Sequence, residues 1–318
     1  MLLKAMLRAA VAAGLLAALP LAAHAAPDAP QTGATLCPHN PNAMGTTRTI
    51  EVDTTGGPDI GTMQYRNTLP VGPKELVFTF DDGPNPDHTP KILDALDRHC
   101  IKATFFMVGR YVKLHPEIVQ EVWRRGHTVA SHTWSHPILS KRSYYSSVKQ
   151  IDRGIDALDT VLAGVTDADG IAAEVAPFFR FPGLNHTKRL RHYLSGKNIA
   201  TFSCDIGTDD WRRISPRTLY RRALSMIESR GSGVVIFHDT HYRTSAMLPQ
   251  ILDELARRGY TAVHMVPKGD ARFRLAQRRT NEAETAATAK AASAQIRPAG
   301  PSPGVAPAQP SLRPSVAY

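Results

Sequence analysis

From Glu75 onward the chain alternates short runs of β-branched and aromatic residues with segments of helical period. No other feature restricts its possible folds as much. The apolar runs are Leu76–Phe80, Ala103–Val108, Thr128–Ala130, Phe178–Phe181, Ile199–Cys204, Gly233–Phe237 and Thr261–Val266, and they read as buried strands. Helical segments fall between most of them. Pro90–Leu96 has Pro at a tolerated first-turn position. Pro116–Arg125 ends at Gly126, a suitable left-handed stop. Ser143–Leu162 places Val148, Ile151, Ile155, Leu158 and Leu162 close to the helical period. Thr218–Arg230 is opened by Ser215-Pro216 and closed by Gly231, and Ala246–Arg258 closes at Gly259. Such alternation predicts a parallel sheet, as a barrel or an open doubly wound sheet. Seven strands with a helix after most of them favour an α/β fold of distorted, incomplete (β/α) barrel type. No Gly-x-Gly-x-x-Gly follows the first strand, so a dinucleotide site has no support.

The flanking regions differ in texture. Residues 1–25 combine a basic start (Lys4, Arg8), an apolar run from Ala9 to Leu21 and a small-x-small site at Ala23-His24-Ala25, the pattern of a signal peptide. The run is shorter than the ~20 residues of a spanning helix, so no stable membrane span is expected after cleavage; an uncleaved anchor is the alternative. Export predicts a periplasmic or secreted protein of a bacterial cell envelope, in an oxidising space. Residues 26–73 are rich in Pro, Gly, Asn and Thr and read as an irregular extension, with a short strand at Arg48–Asp53. The folded domain is expected over 74–267. Residues 268–318, rich in Ala, Pro, Gln and Arg, lack the apolar content to offset ordering entropy and are expected to be a disordered basic tail, with one helical turn at Arg272–Arg279 before it as the alternative.

Charge and cysteine usage narrow the function. The formal net charge is +10. Two of these charges are Lys4 and Arg8, and a net five lie in 268–318, so the 242 residues between them carry +3. A nucleic-acid footprint is therefore not expected on the folded part. Of three cysteines, Cys204 lies in an apolar run and reads as a small core residue. Cys37 and Cys100 are left as candidates for a bridge tying the extension to the domain, although sequence gives no connectivity.

Several apolar runs end in groups that can carry chemistry. Leu76–Phe80 ends in Asp81-Asp82 and then Gly83-Pro84. Two adjacent carboxylates are costly unless a metal, a cation or a proton separates them. Thr128–Ala130 leads into Ser131-His132-Thr133-Trp134-Ser135-His136, whose histidines share a face if the loop enters a helical turn. With Asp82 they make a two-His, one-Asp set that leaves an open position on a metal. Gly233–Phe237 ends in His238-Asp239, where an imidazole suits proton transfer, a third metal ligand or a core position being the alternatives. Arg180, among Phe178, Phe179 and Phe181, needs a carboxylate such as Asp81 to be tolerated. After Ile199–Cys204 comes Asp205-Ile206-Gly207-Thr208-Asp209-Asp210-Trp211. It offers an acid to orient His238 and a Trp to wall a small pocket.

Taken in order, these motifs resemble the polysaccharide deacetylases, the NodB-homology domain of carbohydrate esterase family 4. Thr79-Phe80-Asp81-Asp82-Gly83-Pro84 is similar to the first motif and His132-Thr133-Trp134-Ser135-His136 to the second. Arg180-Phe181-Pro182-Gly183, Asp210-Trp211 and Ile236-Phe237-His238-Asp239 resemble the third, fourth and fifth, and Lys102–Phe106 resembles the family's second strand. The resemblance covers roughly Lys74 to Pro267. It implies Asp81 as general base, paired with Arg180, and His238 as general acid tuned by Asp210. It implies Asp82, His132 and His136 as ligands of a divalent metal, commonly zinc and sometimes cobalt. Trp211 and Ile236 would contact the acetyl methyl, and the Gly183 amide would face the oxyanion. Two departures stand out. Gly207 replaces an acid usual in the fourth motif, with Asp209 adding a charge beside Asp210. Gly183-Leu184 replaces an aromatic followed by Gly.

The resemblance implies an exported, metal-dependent hydrolase that removes N-acetyl groups from an N-acetylated glycan. Two other readings are a glycan-binding module without turnover and a related amidohydrolase acting on a small C–N substrate. A glycosidase using Asp81 and Asp82 fails on geometry, since adjacent residues do not easily flank a sugar at the ~5–9.5 Å required.

Overall fold

The computed structural model describes residues 37–295. The predicted signal peptide, the first residues of the extension and residues 296–318 lie outside the described residues.

The sheet is organised around β3 (Glu75–Asp81), which contains the run that leads into the paired carboxylates. Every ladder in the sheet is parallel. On one edge β3 pairs with β9 (Gly233–His238) from Leu76↔Gly233 to Asp81↔His238. On the other, its carboxyl half pairs with β4 (Thr104–Met107) from Thr79↔Thr104 to Asp81↔Phe106. Beyond β4 follow β5 (Thr128–Ser131), β6 (Phe178–Arg180) and β7 (Ala200–Phe202), and beyond β9 lies the short β8 (Ile206–Gly207). The run β8-β9-β3-β4-β5-β6-β7 thus contains seven parallel strands. Its two ends are successive along the chain, and among the described residues no ladder joins them. This is the expected incomplete barrel.

Helices cover the outside. They are α1 (Thr89–Arg98), α2 (Gly109–Leu114), α3 (Pro116–Arg124), α4 (Tyr144–Leu162), α5 (Lys188–Ser195), α6 (Pro216–Arg230) and α7 (Tyr242–Arg257). Serines open α4 and α6, with Ser143 Oγ accepting from Ser146 N and Ser215 Oγ from Thr218 N. Side-chain alternation along β3 divides the core. Leu76, Phe78 and Phe80 face the helices, where Phe80 stacks between Phe105 (5.0 Å) and Phe237 (5.9 Å). Val77 joins Phe106, Ala130, Phe178, Phe202, Val234 and Ile236 on the other face, inside the barrel. Each buried aromatic contributes about 1.5–3 kcal/mol through removal from water. Thr79 and Asp81 share the inward phase of Val77, so the first acid points into the barrel.

The extension is more ordered than its composition suggests. It carries β1 (Thr46–Val52) and the two-residue β2 (Asp59–Ile60). β1 adds to β10 (Thr261–Pro267), which itself pairs with only the first two residues of β3, and β2 adds to β7. A Cys37–Cys100 disulfide, with Cα atoms 5.4 Å apart, ties this segment to the residues after α1, and Cys204 is buried and free. The expected disorder from Lys268 needs correcting. Residues Ala271–Gln295 form a helix, α8. Ala, Glu, Gln, Lys and Arg are strong helix formers, and local propensity here replaces an apolar face. The helix is anchored at its start, where Asp270 Oδ1 accepts from Phe273 N and the Arg272 guanidinium lies 4.2 Å over the Trp123 ring. Among the described residues no helix is long and apolar enough to cross a membrane.

Candidate active site

Parallel pairing brings the carboxyl ends of the strands to one face of the barrel, where such folds collect polar groups. Asp81 is the last residue of β3 and lies level with His238 and Phe106. Its Oδ1 accepts from Arg180 Nη1 at 2.6 Å. The same Nη1 donates to Thr79 Oγ1 at 2.8 Å, and Nη2 donates to the Ser203 carbonyl at 2.8 Å. The guanidinium also lies 4.2 Å over the Phe106 ring. A buried ion pair persists only when its remaining hydrogen-bonding capacity is met, and Thr79 and Ser203 meet part of it. Neither residue was singled out from the sequence. Thr79 could have been found as the inward neighbour of Asp81 on the strand.

Asp82 leaves the strand with φ of 80°, a left-handed conformation uncommon for a non-glycine residue. This turn separates the two carboxylates. Asp82 Oδ1 lies 3.4 Å from His132 Nε2 and 3.1 Å from His136 Nε2. The condition of a helical turn between the histidines is not met. They follow β5 in a loop with Thr133 at φ 72° and His136 at φ 59°. His136 N donates to Thr133 Oγ1, and the ring centroids are 4.9 Å apart. Left-handed positions bring the imidazoles together where the 3.6-residue period does not.

The donor atoms fit a divalent ion. His132 Nδ1 is 2.7 Å from the Arg180 carbonyl, which can only accept, so Nδ1 carries the proton and Nε2 presents its lone pair to Asp82. Asp82 Oδ1 is buried and has no hydrogen-bond partner among the described residues. A buried carboxylate oxygen facing a lone pair is costly unless a cation sits between them. Two nitrogens and one oxygen are a common zinc donor set with a position to spare.

His238, at the end of β9, has its ring fixed by Asp210. His238 Nδ1 is 2.7 Å from Asp210 Oδ1, and its backbone N donates to Asp210 Oδ2 at 2.7 Å. Thr244 Oγ1 donates to the same Oδ2 at 2.7 Å. Burial alone lowers the His238 pKa, but the Asp210 carboxylate, with smaller contributions from Asp82 and Asp81, lifts it to about 9. Burial raises the Asp210 pKa, and the charge and hydrogen bond of His238 bring it below the ordinary value.

The remaining candidates are more scattered. Gly183 sits in a short 3₁₀ turn with φ 59° and ψ 21°, and a Cβ there would lie 3.0 Å from Ile138 Cδ1. Ile236 is buried inside the barrel, with its carbonyl accepting from Thr208 Oγ1. Trp211 is 57% exposed, with Arg212 4.9 Å over its ring, so it stands at the surface beside Asp210. Asp209 does not reach inward, because Arg212 and Arg222 both contact its Oδ2 at 3.1 Å. Asp239 was seen in the sequence only as the neighbour of His238. It is fully buried against Gly83 and Thr89.

This geometry agrees with four similarities to known proteins and families. A family model described as polysaccharide deacetylase matches residues 68–202. The peptidoglycan-N-acetylglucosamine deacetylase PgdA of Listeria monocytogenes is 34% identical over 190 residues, covering 60% of this chain and 38% of that protein. A peptidoglycan-N-acetylglucosamine deacetylase of Bacillus cereus is 30% identical over 199 residues, covering 61% of this chain and 68% of its own length. Among solved structures, a peptidoglycan deacetylase of Bdellovibrio bacteriovorus superposes with a TM-score of 0.61 at 34% identity, covering 70% of this chain and 59% of that one. The chain thus spans well under half of the Listeria relative and about two thirds of the Bacillus one.

Proposed function

The chain belongs to the polysaccharide deacetylase family, and from this we propose that it hydrolyses the N-acetyl amide of a glycan, releasing acetate and a free sugar amine. The observation that carries this reading is the convergence of three separate devices at one end of the barrel. They are a buried carboxylate held by Arg180, a two-His, one-Asp donor set, and an imidazole backed by Asp210.

Asp82, His132 and His136 would hold a divalent ion, for which zinc fits the donor set best and cobalt is an alternative. When bound, such an ion supplies Lewis acidity toward the amide carbonyl and the attacking water. Asp81 takes the water's proton as general base, its carboxylate held in place by Arg180, which Thr79 in turn positions. The Gly183 N–H offers a donor to the oxyanion that forms. The Asp210 carboxylate favours the imidazolium form of His238, in which the Nδ1 proton is held by Asp210 and the Nε2 proton is free to be given. His238 passes the Nε2 proton to the sugar nitrogen as the C–N bond breaks. Asp210 keeps the imidazole protonated and correctly turned until that step. Ile236 and Trp211 would border the acetyl methyl.

We further propose that the protein acts outside the cytoplasm, after removal of residues 1–25. The Cys37–Cys100 disulfide supports this, since such bonds persist in oxidising compartments. The direct test is acetate release from a panel of N-acetylated glycans, chitin oligomers and peptidoglycan fragments included. Exhaustive chelation is expected to abolish release, and added zinc or cobalt to restore it. Release that survives chelation contradicts the reading. Glycan binding without release under any metal favours the non-catalytic module.

A further inference from the structure

The mechanism leaves one buried acid at this end of the barrel without a role. Asp239 is 1% exposed and follows His238 directly. Its Oδ2 accepts from Thr89 Oγ1 at 2.6 Å, and its Oδ1 has no partner among the described residues. It does not touch the donor atoms of the metal set. It sits instead against Gly83, in the loop that carries Asp82.

Gly83 follows Asp82, and a Cβ built there would lie 2.1 Å from Asp239 Oδ2, 2.4 Å from Oδ1 and 2.5 Å from Cγ. No real side chain tolerates such contacts, so the Asp239 carboxyl occupies the space Gly83 leaves open. The same loop is held on its other side by β4, where Asp82 N donates to the Phe106 carbonyl and Val108 N to the Gly83 carbonyl. Asp239 N donates to the Asp81 carbonyl at 3.2 Å. Thr89 extends the clamp, because its Oγ1 accepts from Asn85 N at 2.8 Å while donating to Asp239. The turn from Asp81 to Asn85 is therefore gripped between β4 and Asp239. It contains the left-handed Asp82, a conformation that persists only where the surroundings enforce it.

We propose that Asp239 is a positioning residue for the metal set: packed against Gly83 and bonded through Thr89 to Asn85, it fixes the turn that aims Asp82 at His132 and His136. The inference rests on the reading that these three residues hold a divalent ion. The carboxyl acts by shape and hydrogen bonding. Burial, together with the nearby Asp82 and Asp81, pushes its pKa up to about 7, which agrees with a role that needs no full charge.

The test is zinc affinity of the full chain, measured without substrate by competition with a chromophoric chelator, alongside thermal melting of the zinc-free protein. Asp239→Asn keeps the size and the acceptor toward Thr89, and its zinc Kd is expected to stay near the wild-type value. Asp239→Leu loses both, and its Kd is expected to rise roughly 10–100-fold, the range for groups lost from behind metal ligands. Thr89→Val removes the hydroxyl that joins Asp239 to Asn85 while leaving the Asp239 carboxyl against Gly83; it is expected to raise Kd in the same direction, and it decides the matter if Asp239→Leu does not fold. Melting shifts with unchanged Kd in Asp239→Leu and Thr89→Val overturn the proposal, since a purely structural acid behaves that way. Loss of affinity in Asp239→Asn equal to that in Asp239→Leu also overturns it. Absence of zinc binding by the wild type strikes the metal reading itself, whereas normal wild-type binding with indifferent variants strikes only this inference.

Discussion

Arg180 and Asp81 form the one arginine–carboxylate pair among the described residues in which both side chains are almost fully buried, at 0% and 2% exposure and 2.6 Å apart. Removing one member of such a pair leaves the other charge without compensation in the barrel. Arg180→Met is accordingly expected to destabilise the fold by about 3–5 kcal/mol. Urea unfolding followed by far-UV circular dichroism measures this. A loss under about 1 kcal/mol would show that the pair matters less than its burial suggests.

Asp82→Ala removes a donor from the metal set while leaving Asp81 and Arg180 in place. The zinc Kd is expected to rise by more than about 100-fold, exceeding the roughly 10–100-fold effect of outer partners. Titration of the apo-protein against a competing chelator reads the change. Acetate release by this variant is expected to recover in part at high zinc. Recovery at wild-type zinc levels would remove Asp82 from the set.

The pH profile depends on His238. As the proposed acid it must be protonated, and Asp210 raises its pKa to about 9, so release is expected to decline as pH rises through that region. An ion at Asp82 offsets that residue's contribution and moves the decline to lower pH, whereas the Asp210 contribution remains. Asp210→Asn removes the carboxylate that raises the pKa and leaves burial, which lowers it. The alkaline limb is therefore expected to move to lower pH in this variant. A limb that stays in place would detach Asp210 from the proton transfer.

The Cys37–Cys100 bond closes a sequence separation of 63 residues and lies at the amino-terminal end of β4, opposite the strand ends that hold the site. Replacing both cysteines by serine is expected to cost about 2–4 kcal/mol. Zinc affinity is expected to be unchanged, because the bond lies at the opposite end of the strands from Asp82, His132 and His136. Melting curves with and without reductant provide the check, and the double variant should show no reductant effect.

Much of this was legible in the sequence because chemistry and strand ends coincide. Asp81, Asp82, His132, Arg180 and His238 each lie within two residues of the end of an apolar run, and parallel pairing brings such ends together whatever the loop details. Left-handed backbone was not legible. Thr133, His136 and Asp209 adopt it although none is glycine, so the conformation of their loops could not be read from residue type. α5 was missed because only Leu190 and Leu194 bury a face within a strongly basic segment. α8 was missed because composition alone does not separate a solvated helix from a disordered tail when the residues are good helix formers. The strand pairing of the extension was hidden for another reason: β1 meets β10 across more than 200 residues, and the short β2 shows no alternation of its own.

The most direct test of the account divides the two adjacent acids. Asp81→Asn keeps the shape of the side chain beside Arg180 but removes the base. With zinc supplied, it is expected to bind the metal as the wild type does while acetate release falls by about 10²–10⁴-fold, the contribution of a positioned general base. Acetate release at the wild-type rate in zinc-loaded Asp81→Asn would contradict the account at its centre.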